Sequence, residues 1–276
     1  MKNRRLELAM VYTVLLIWAI LCLYPLLWMM GASLKTPLDV LTTLNLFPAG
    51  VWHWHIFASV WSGMGFWLHF WNSVQVSLYT LVAVNIIYMM AGFALAKLKF
   101  RGNEVVFRFF LGMMFVPGIT MIVPIFLIEA QLHLLNTMFG LILPMVNGAG
   151  PFAIFLFRNY FRTIPDELFE AAKVDGAGIF HILFRIYVPL ALPAIATISI
   201  FNFIGSWNGL ILPLVLLSSQ NLYTLPLAVM SLNTGSFTQW NVLMAGSLIS
   251  LAPVIVVFVF LQKYFIRGLS SGAVKG

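Results

Sequence analysis

The chain has 276 residues, of which 62% are hydrophobic and only 8% charged. Soluble domains carry about 25% charged residues, so a water-facing globule is excluded and lipid is the solvent of most of the chain. The net charge of +7 does not mark a nucleic-acid binder, because the charges sit in short segments between long apolar ones rather than along one basic face.

A bare charge near the bilayer centre costs roughly 2.5 to 3.5 kcal/mol, so spans are read from where charges are missing. The first gap, 27 residues between Glu7 and Lys35, predicts a span over 8–31. Lys2, Arg4 and Arg5 precede it as in a secretory signal. The run is too long for one, however, and no small-x-small site follows before Pro25, so the span is expected to stay uncleaved. The single cysteine, Cys22, lies inside this run and excludes an intramolecular disulfide and a thiolate metal site. Between Lys35 and Lys97 only Asp39 is charged, which gives a span over 70–96, with Trp52, Trp54, Trp61, Trp67 and Trp71 as a belt at its outer boundary. Gaps of 20 residues from Arg108 to Glu129 and 28 from Glu129 to Arg158 give spans over 107–128 and 138–157. The 77 uncharged residues between Arg185 and Lys263 exceed one crossing. Ser218-Ser219-Gln220-Asn221 and Asn233-Thr234-Gly235-Ser236 split them into spans over 186–217 and 241–262. Runs such as Val254 to Phe260 are apolar on every side, which fits helices and not a barrel.

The expected fold is therefore an all-α membrane protein of six transmembrane helices, organised as a single domain over 1–276, with both termini on one side. If that side is the cytoplasm, fourteen of the fifteen basic residues lie inside and only Lys35 lies outside.

Nine of the thirteen prolines fall in or beside these spans and favour kinks. The fourth span is expected to be the most disrupted, because Asn147-Gly148-Ala149-Gly150-Pro151 sits near its middle. Asn147 then either faces a translocation cavity or marks a kink satisfied by a neighbouring helix. In the fifth span Asn202, Ser206, Trp207 and Asn208 suit hydrogen bonding and stacking with a polyhydroxylated solute, or equally interhelical hydrogen bonds. No span centre holds an acid or base, which argues against a proton-coupled carrier. The five histidines repeat no metal-ligand spacing.

One long charged loop, 158–185, separates the fourth and fifth spans. Its centre reads as a short helix with Thr163 as N-cap, Pro165 in the first turn, Asp166 and Glu167 at the positive end of the dipole, and Gly176 closing it. Pro165, Leu168, Phe169, Ala172 and Gly176 form an apolar stripe opposite Asp166, Glu170 and Lys173. Such a helix could lie on lipid headgroups, but its acids would face an anionic leaflet, so docking into another protein is the better reading.

Glu170-Ala171-Ala172, followed by Gly176, Ile186 and Pro189 at 6, 16 and 19 positions after the glutamate, resembles the cytoplasmic EAA loop of membrane subunits of bacterial ATP-binding-cassette importers. Val188 stands where that pattern has leucine. Ser33-Leu34-Lys35-Thr36-Pro37, the stretch Phe201 to Leu214 and the tail Gln262 to Gly276 are similar to the carbohydrate branch, the maltose-type second permease. The resemblance covers essentially the whole chain, and it implies a multi-pass permease in the bacterial cytoplasmic (inner) membrane, among membrane lipid. Its implied partners are a second permease subunit, a homodimeric ABC ATPase and an extracytoplasmic solute-binding protein that delivers a sugar. It implies that Leu168, Phe169, Glu170, Ala171, Ala172, Asp175 and Gly176 form the coupling helix seated on the ATPase; the tail 263–276, with Gly268, Gly272 and Gly276, is too glycine-rich for a helix of its own and either contacts the ATPase or frays. No phosphate-cradling Gly-x-x-x-x-Gly-Lys-Ser/Thr run occurs, so this chain is expected to bind no cofactor, and ATP to be hydrolysed by the partner ATPase. The alternatives are an importer permease for another solute such as glycerol phosphate or amino acids, a membrane enzyme, and a stand-alone channel.

Overall fold

The computed structural model describes residues 2–233 and 239–273, with side chains placed over 7–233 and 239–260. Every regular element among them is helical. Four helices are each long and apolar enough to cross a bilayer: α1 (Lys2–Ser33), α2 (Phe66–Lys97), and two further on that become α5 (Met138–Thr163) and α11 (Trp240–Ala273). Two other segments reach that length only as bent pairs. Asn103–Met113 (α3) meets Gly118–Gln131, whose α-helical part Ile122–Gln131 is α4, at 94°. Ile179–Leu190 (α7) meets Leu192–Trp207 (α8) at 79°. Counted as one span each, these pairs bring the total to six. Asp166–Val174 (α6), Ile211–Leu216 (α9) and Leu225–Ser231 (α10) are shorter helices, and Pro37–Thr42 and His55–Ala58 add brief helical turns in the loop after α1.

Where the helices break differs from the expectation. The fourth span, expected to be the most disrupted, is one continuous helix with Pro144 and Pro151 inside it. A proline removes a single hydrogen bond, and a neighbour can hold the helix through it. Here Gly150 lies so close to Tyr88 that a Cβ would come within 2.6 Å of its ring. The third span leaves the helix after Met113 in a run of turns and breaks at Pro117, which is extended (ψ 125°) and has no N–H to continue the ladder. The fifth breaks at Ala191, between Pro189 and Pro193 and just beyond a wide turn at Leu183–Tyr187. It also ends at Trp207 rather than continuing to 217, and α9 follows as a separate turn of helix. The glycine-rich tail was not expected to form a helix of its own. Its backbone nonetheless continues α11 to Ala273, since extending an existing helix needs no new nucleus. The tail's side chains and residues 274–276 lie outside the described residues, as does 234–238 of the outer loop.

The chain divides into two compact units. In the unit formed by Met1–Leu68 with Ala228–Ala252, no residue of the apolar window within Glu7–Ser33 is buried. The loop after α1 is fastened by Lys35, which is 3% exposed and donates to Thr43 O, Thr43 Oγ1 and Asn45 O at 3.4, 3.1 and 2.5 Å. Phe47, Trp52, Trp54 and Phe57 stack ring on ring along the same loop.

In the other unit, His69–Leu227 with Pro253–Gly276, α2 and α5 pack closely. A Cβ on Gly92 would meet the Cβ of Phe157 at 2.6 Å and the backbone nitrogen of Arg158 at 3.0 Å, the kind of approach that small residues permit between membrane helices. Phe93, Phe157, Phe161 and Tyr187 form an aromatic core there. Near the opposite end, Asn136 adopts a left-handed conformation (φ 57°) and binds the turn after α9 four times. Its backbone N–H donates to Leu216 O, its amide donates to Ser219 Oγ, and its Oδ1 accepts from the N–H groups of Ser218 and Ser219. Glu129, at the end of α4, is 3% exposed, and its Oε2 has no hydrogen bond among the described residues.

Candidate functional site

Helix α6 begins where α5 is forced to stop. Ile164 precedes Pro165 and is therefore extended (ψ 129°). Thr163, expected to cap α6, is instead the last residue of α5, and its hydroxyl donates to Tyr160 O at 2.7 Å. The capping position is Pro165, which supplies no side-chain acceptor. Asp166 and Glu167 occupy the first turn and Lys173 the last, each at the end of the helix dipole that favours its charge. The other end closes as expected. Gly176 has φ +80°, its N–H reaches Lys173 O at 3.1 Å, and the N–H of Ala177 reaches Ala172 O at 3.0 Å. This is the paired-bond closure that a left-handed glycine permits.

The expected apolar stripe divides between two environments. Phe169 and Ala172 turn inward and join the core of Phe93, Phe161, Ile164 and Tyr187. Leu168 is 44% exposed, and Pro165, Glu170, Ala171, Lys173, Asp175 and Gly176 are exposed with it. The helix is thus seated on its own protein by one narrow edge and presents the remainder outward.

Two buried cations hold this seat. Lys97, the last residue of α2, has a side chain only 3% exposed. Its ammonium donates to Ile164 O at 2.5 Å and to Asp166 Oδ1 at 2.6 Å, and lies 5.6 Å from the centre of the Tyr187 ring. Asp166 itself is 81% exposed, so the ion pair alone contributes about 0.2 to 1 kcal/mol. Satisfying a buried ammonium and a backbone carbonyl is the larger effect. The hydrogen bond and charge of Lys97, with Lys99 and Arg162 nearby, hold the Asp166 carboxyl below the usual aspartate range against a smaller opposing desolvation. One turn before the end of α5, the Arg158 side chain is also 3% exposed. It donates to Glu104 at 2.5 Å and to Leu95 O at 3.2 Å, and stands 3.6 Å over the Phe107 ring. Together these contacts tie α6 and α5 to the end of α2 and the start of α3.

From sequence both cations count only as charges on one side of the membrane. Their partners lie 69 and 54 residues away, a separation that leaves no local spacing signal.

A cavity of about 450 Å³ lies between α2, α5 and α8, and Asn202 and Ser206 line it. Thr80 lines it too, and Thr80 Oγ1 and Asn202 Oδ1 are buried without a hydrogen bond among the described residues. Ser206 spends its proton on its own helix, at 2.8 Å from Asn202 O. Trp207 is 1% exposed and stacked on Phe203 at 5.5 Å, while Asn147 and Asn208 are exposed and do not line the cavity. Thr80 was missed from sequence, although Ser73, Ser77 and Thr80 recur at helical spacing along the second span and are all buried. No charged side chain lines the cavity.

The family described as "Binding-protein-dependent transport system inner membrane component" matches residues 88–271. The chain is 37% identical over 271 residues to a probable ABC transporter permease protein YurM of Bacillus subtilis (strain 168), covering 96% of this chain and 88% of that protein. It is 35% identical to the arabinooligosaccharides transport system permease protein AraQ of the same organism, over 94% and 92% of the two chains. Among solved structures it resembles a chain of a bacterial ABC transporter involved in the import of the acidic polysaccharide alginate, with a TM-score of 0.83, 28% identity and coverage of 96% and 98%. The chain therefore belongs to the binding-protein-dependent transport system inner membrane components, the multi-pass permease subunits of ABC importers.

Proposed function

We propose that the chain works as one permease domain forming half of the translocation pathway for a sugar or oligosaccharide, and that it couples that pathway to a separate ATPase. Both termini lie in the cytoplasm, and each bent pair counts as one of six crossings. Its partners are a second permease, a homodimeric ATPase that hydrolyses the ATP, and an extracytoplasmic binding protein. This chain binds no cofactor and hydrolyses nothing. The observation that carries the reading is α6, a helix closed at Gly176, riveted along one edge by Lys97, Phe169 and Ala172, with Leu168, Glu170, Ala171 and Asp175 turned outward. A docked helix so fastened moves as a lever, and ATP-driven closure of the ATPase pair would shift α5 and the end of α2 with it. The relatives named for arabinooligosaccharides and alginate support a carbohydrate, and a mostly apolar cavity whose polar side chains are the uncharged Thr80, Asn202 and Ser206 favours a neutral one over glycerol phosphate.

A cysteine at Ala171 in a Cys22→Ala background tests the docking. Zero-length or short cross-linkers should join it to the ATPase in the intact transporter, with a yield that changes when ATP binds. Absence of any ATPase adduct, with the subunit assembled and transporting, overturns the reading. Uptake of a panel of labelled neutral sugars, glycerol phosphate and amino acids tests the solute class.

A further inference from the structure

A second cavity, of about 820 Å³ and with several charged residues in its lining, is distinct from the first and lies beside α6. Its walls come from the end of α2, the turn 98–102, the start of α3, the end of α5 and the first turns of α6. Five cations line it, Lys97, Lys99, Arg101, Arg158 and Arg162, against three acids, Glu104, Asp166 and Glu170. The charges are not equivalent. Lys97 and Arg158 form the floor, each buried and each already matched to a carboxylate, Asp166 and Glu104 respectively. Lys99, Arg101 and Arg162 stand exposed at the rim and form no ion pair among the described residues. The Asp166 carboxyl is lowered chiefly by Lys97, with smaller contributions from Lys99 and Arg162. Asn103 and apolar residues, including Leu95, Leu98 and Phe100, make up the remaining wall, and α3, whose first turn borders the cavity, carries the exposed side chains Val105 and Phe109, 69% and 67% accessible.

We infer that this cavity binds the phosphate of an acidic phospholipid, held by Lys99, Arg101 and Arg162, with the lipid's glycerol and first acyl carbons along Leu98, Phe100 and Val105. A phosphate needs unspent cations, which the rim supplies. An acyl chain needs an apolar exit at membrane depth, which α3 supplies. Free phosphate shares the headgroup chemistry but has no use for the apolar wall. Basic pockets between membrane helices on the cytoplasmic side are suited to such headgroups. The inference rests on the inward orientation proposed above. A lipid here would touch the loop that joins α2 to α3 and the first turn of α6, so its occupancy would bear on the seat of the coupling helix.

The test is made on the intact transporter reconstituted in nanodiscs of zwitterionic lipid doped with phosphatidylglycerol, with retained lipid counted by native mass spectrometry. The triple variant Lys99→Gln, Arg101→Gln, Arg162→Gln should lose phosphatidylglycerol retention by about a hundredfold, at about fivefold for each cation removed. Arg108→Gln, an exposed cation of α3 that does not line the cavity, should retain it. Equal retention in the triple variant and the parent overturns the site. So does a loss of about fivefold in Arg108→Gln, the same per charge as in the triple variant, which would show only general attraction to the leaflet. A second arm titrates inorganic phosphate into the detergent-solubilised transporter. Binding of phosphate that depends on the three cations, without lipid retention, assigns the cavity to a soluble anion and overturns the lipid. Retention is read without transport, so its failure leaves the docking and uptake results standing.

Discussion

Gly176 offers the cleanest test of the lever role proposed for α6, because the penalty of replacing it can be worked out from one residue. A Cβ built there meets nothing within 4 Å, so no clash contributes and the whole cost is conformational. At φ +80° an L-residue pays about 1 to 2 kcal/mol, and a β-branched one sits at or above the upper end. Asparagine tolerates the left-handed region best of the non-glycine residues. At a factor of ten per 1.4 kcal/mol, Gly176→Val should raise the frayed population of the last turn about 5- to 30-fold. The hydrogen bonds that report this are those from the N–H groups of Gly176 and Ala177 to Lys173 and Ala172. Amide exchange at residues 176 and 177 and solute uptake should therefore change together, in the order Gly, Asn, Ala, Val from best to worst. Full uptake by Gly176→Val at normal expression would refute the reasoning. A defect in Asn and Ala as large as in Val would also refute it, since that pattern means lost space for a docking partner rather than lost backbone geometry.

Three further outcomes follow from the packing. Lys97→Met leaves Ile164 O buried without its donor and should lower the stability of the subunit by about 1 to 3 kcal/mol, whereas Asp166→Asn, at an exposed partner, should cost less than about 1 kcal/mol; thermal melts of the reconstituted transporter compare them. Because the Asp166 carboxyl is held below its ordinary range, its contribution is fully present above the unfolded value near about 3.9 and fades only as pH falls through the lowered one. The difference between parent and Asp166→Asn should accordingly be flat from neutral pH to about pH 4 and close in stronger acid. Gly92→Leu drives a side chain into Phe157 and the Arg158 backbone and should cost about 1 to 3 kcal/mol or abolish assembly, while Gly112→Ala, with open space around it, should be neutral or slightly stabilising; yield of assembled transporter reads both. Thr80→Val and Asn202→Leu remove polar atoms that lack partners among the described residues, so each should leave stability unchanged or raised yet raise the KM for uptake several-fold, and an unchanged KM would detach the cavity from the solute.

The spans were legible because the cost of a buried charge writes itself into the sequence as a gap. Which proline breaks a helix was not. Pro144 and Pro151 lie two turns apart in a helix supported by Tyr88, while Pro117 follows a run of turns and Pro193 follows both Pro189 and a wide turn, and only the neighbours of each decide the outcome. Helix α6 was legible at its glycine end, where one residue type answers one backbone angle. It was less so at its start, where α5 runs on through Thr163. Its stripe gave the spacing but not what each position faces, and Phe169 and Ala172 went to the chain's own core. The cavity shows the same limit: of five polar residues singled out, Asn202 and Ser206 reach it, whereas Trp207 packs on aromatic rings and the two remaining asparagines point elsewhere.

The four bonds from Asn136 bear on how such a molecule can swing. They make the turn ahead of α5 and the turn behind α9 a single stitched piece. A helix held at one end turns about that end, and the far end of α5, where Arg158 and α6 sit, is tied to the end of α2 and the start of α3. Under the proposed lever role, displacement delivered there would carry those ends along and tilt α5 about the Asn136 stitch rather than slide it lengthwise.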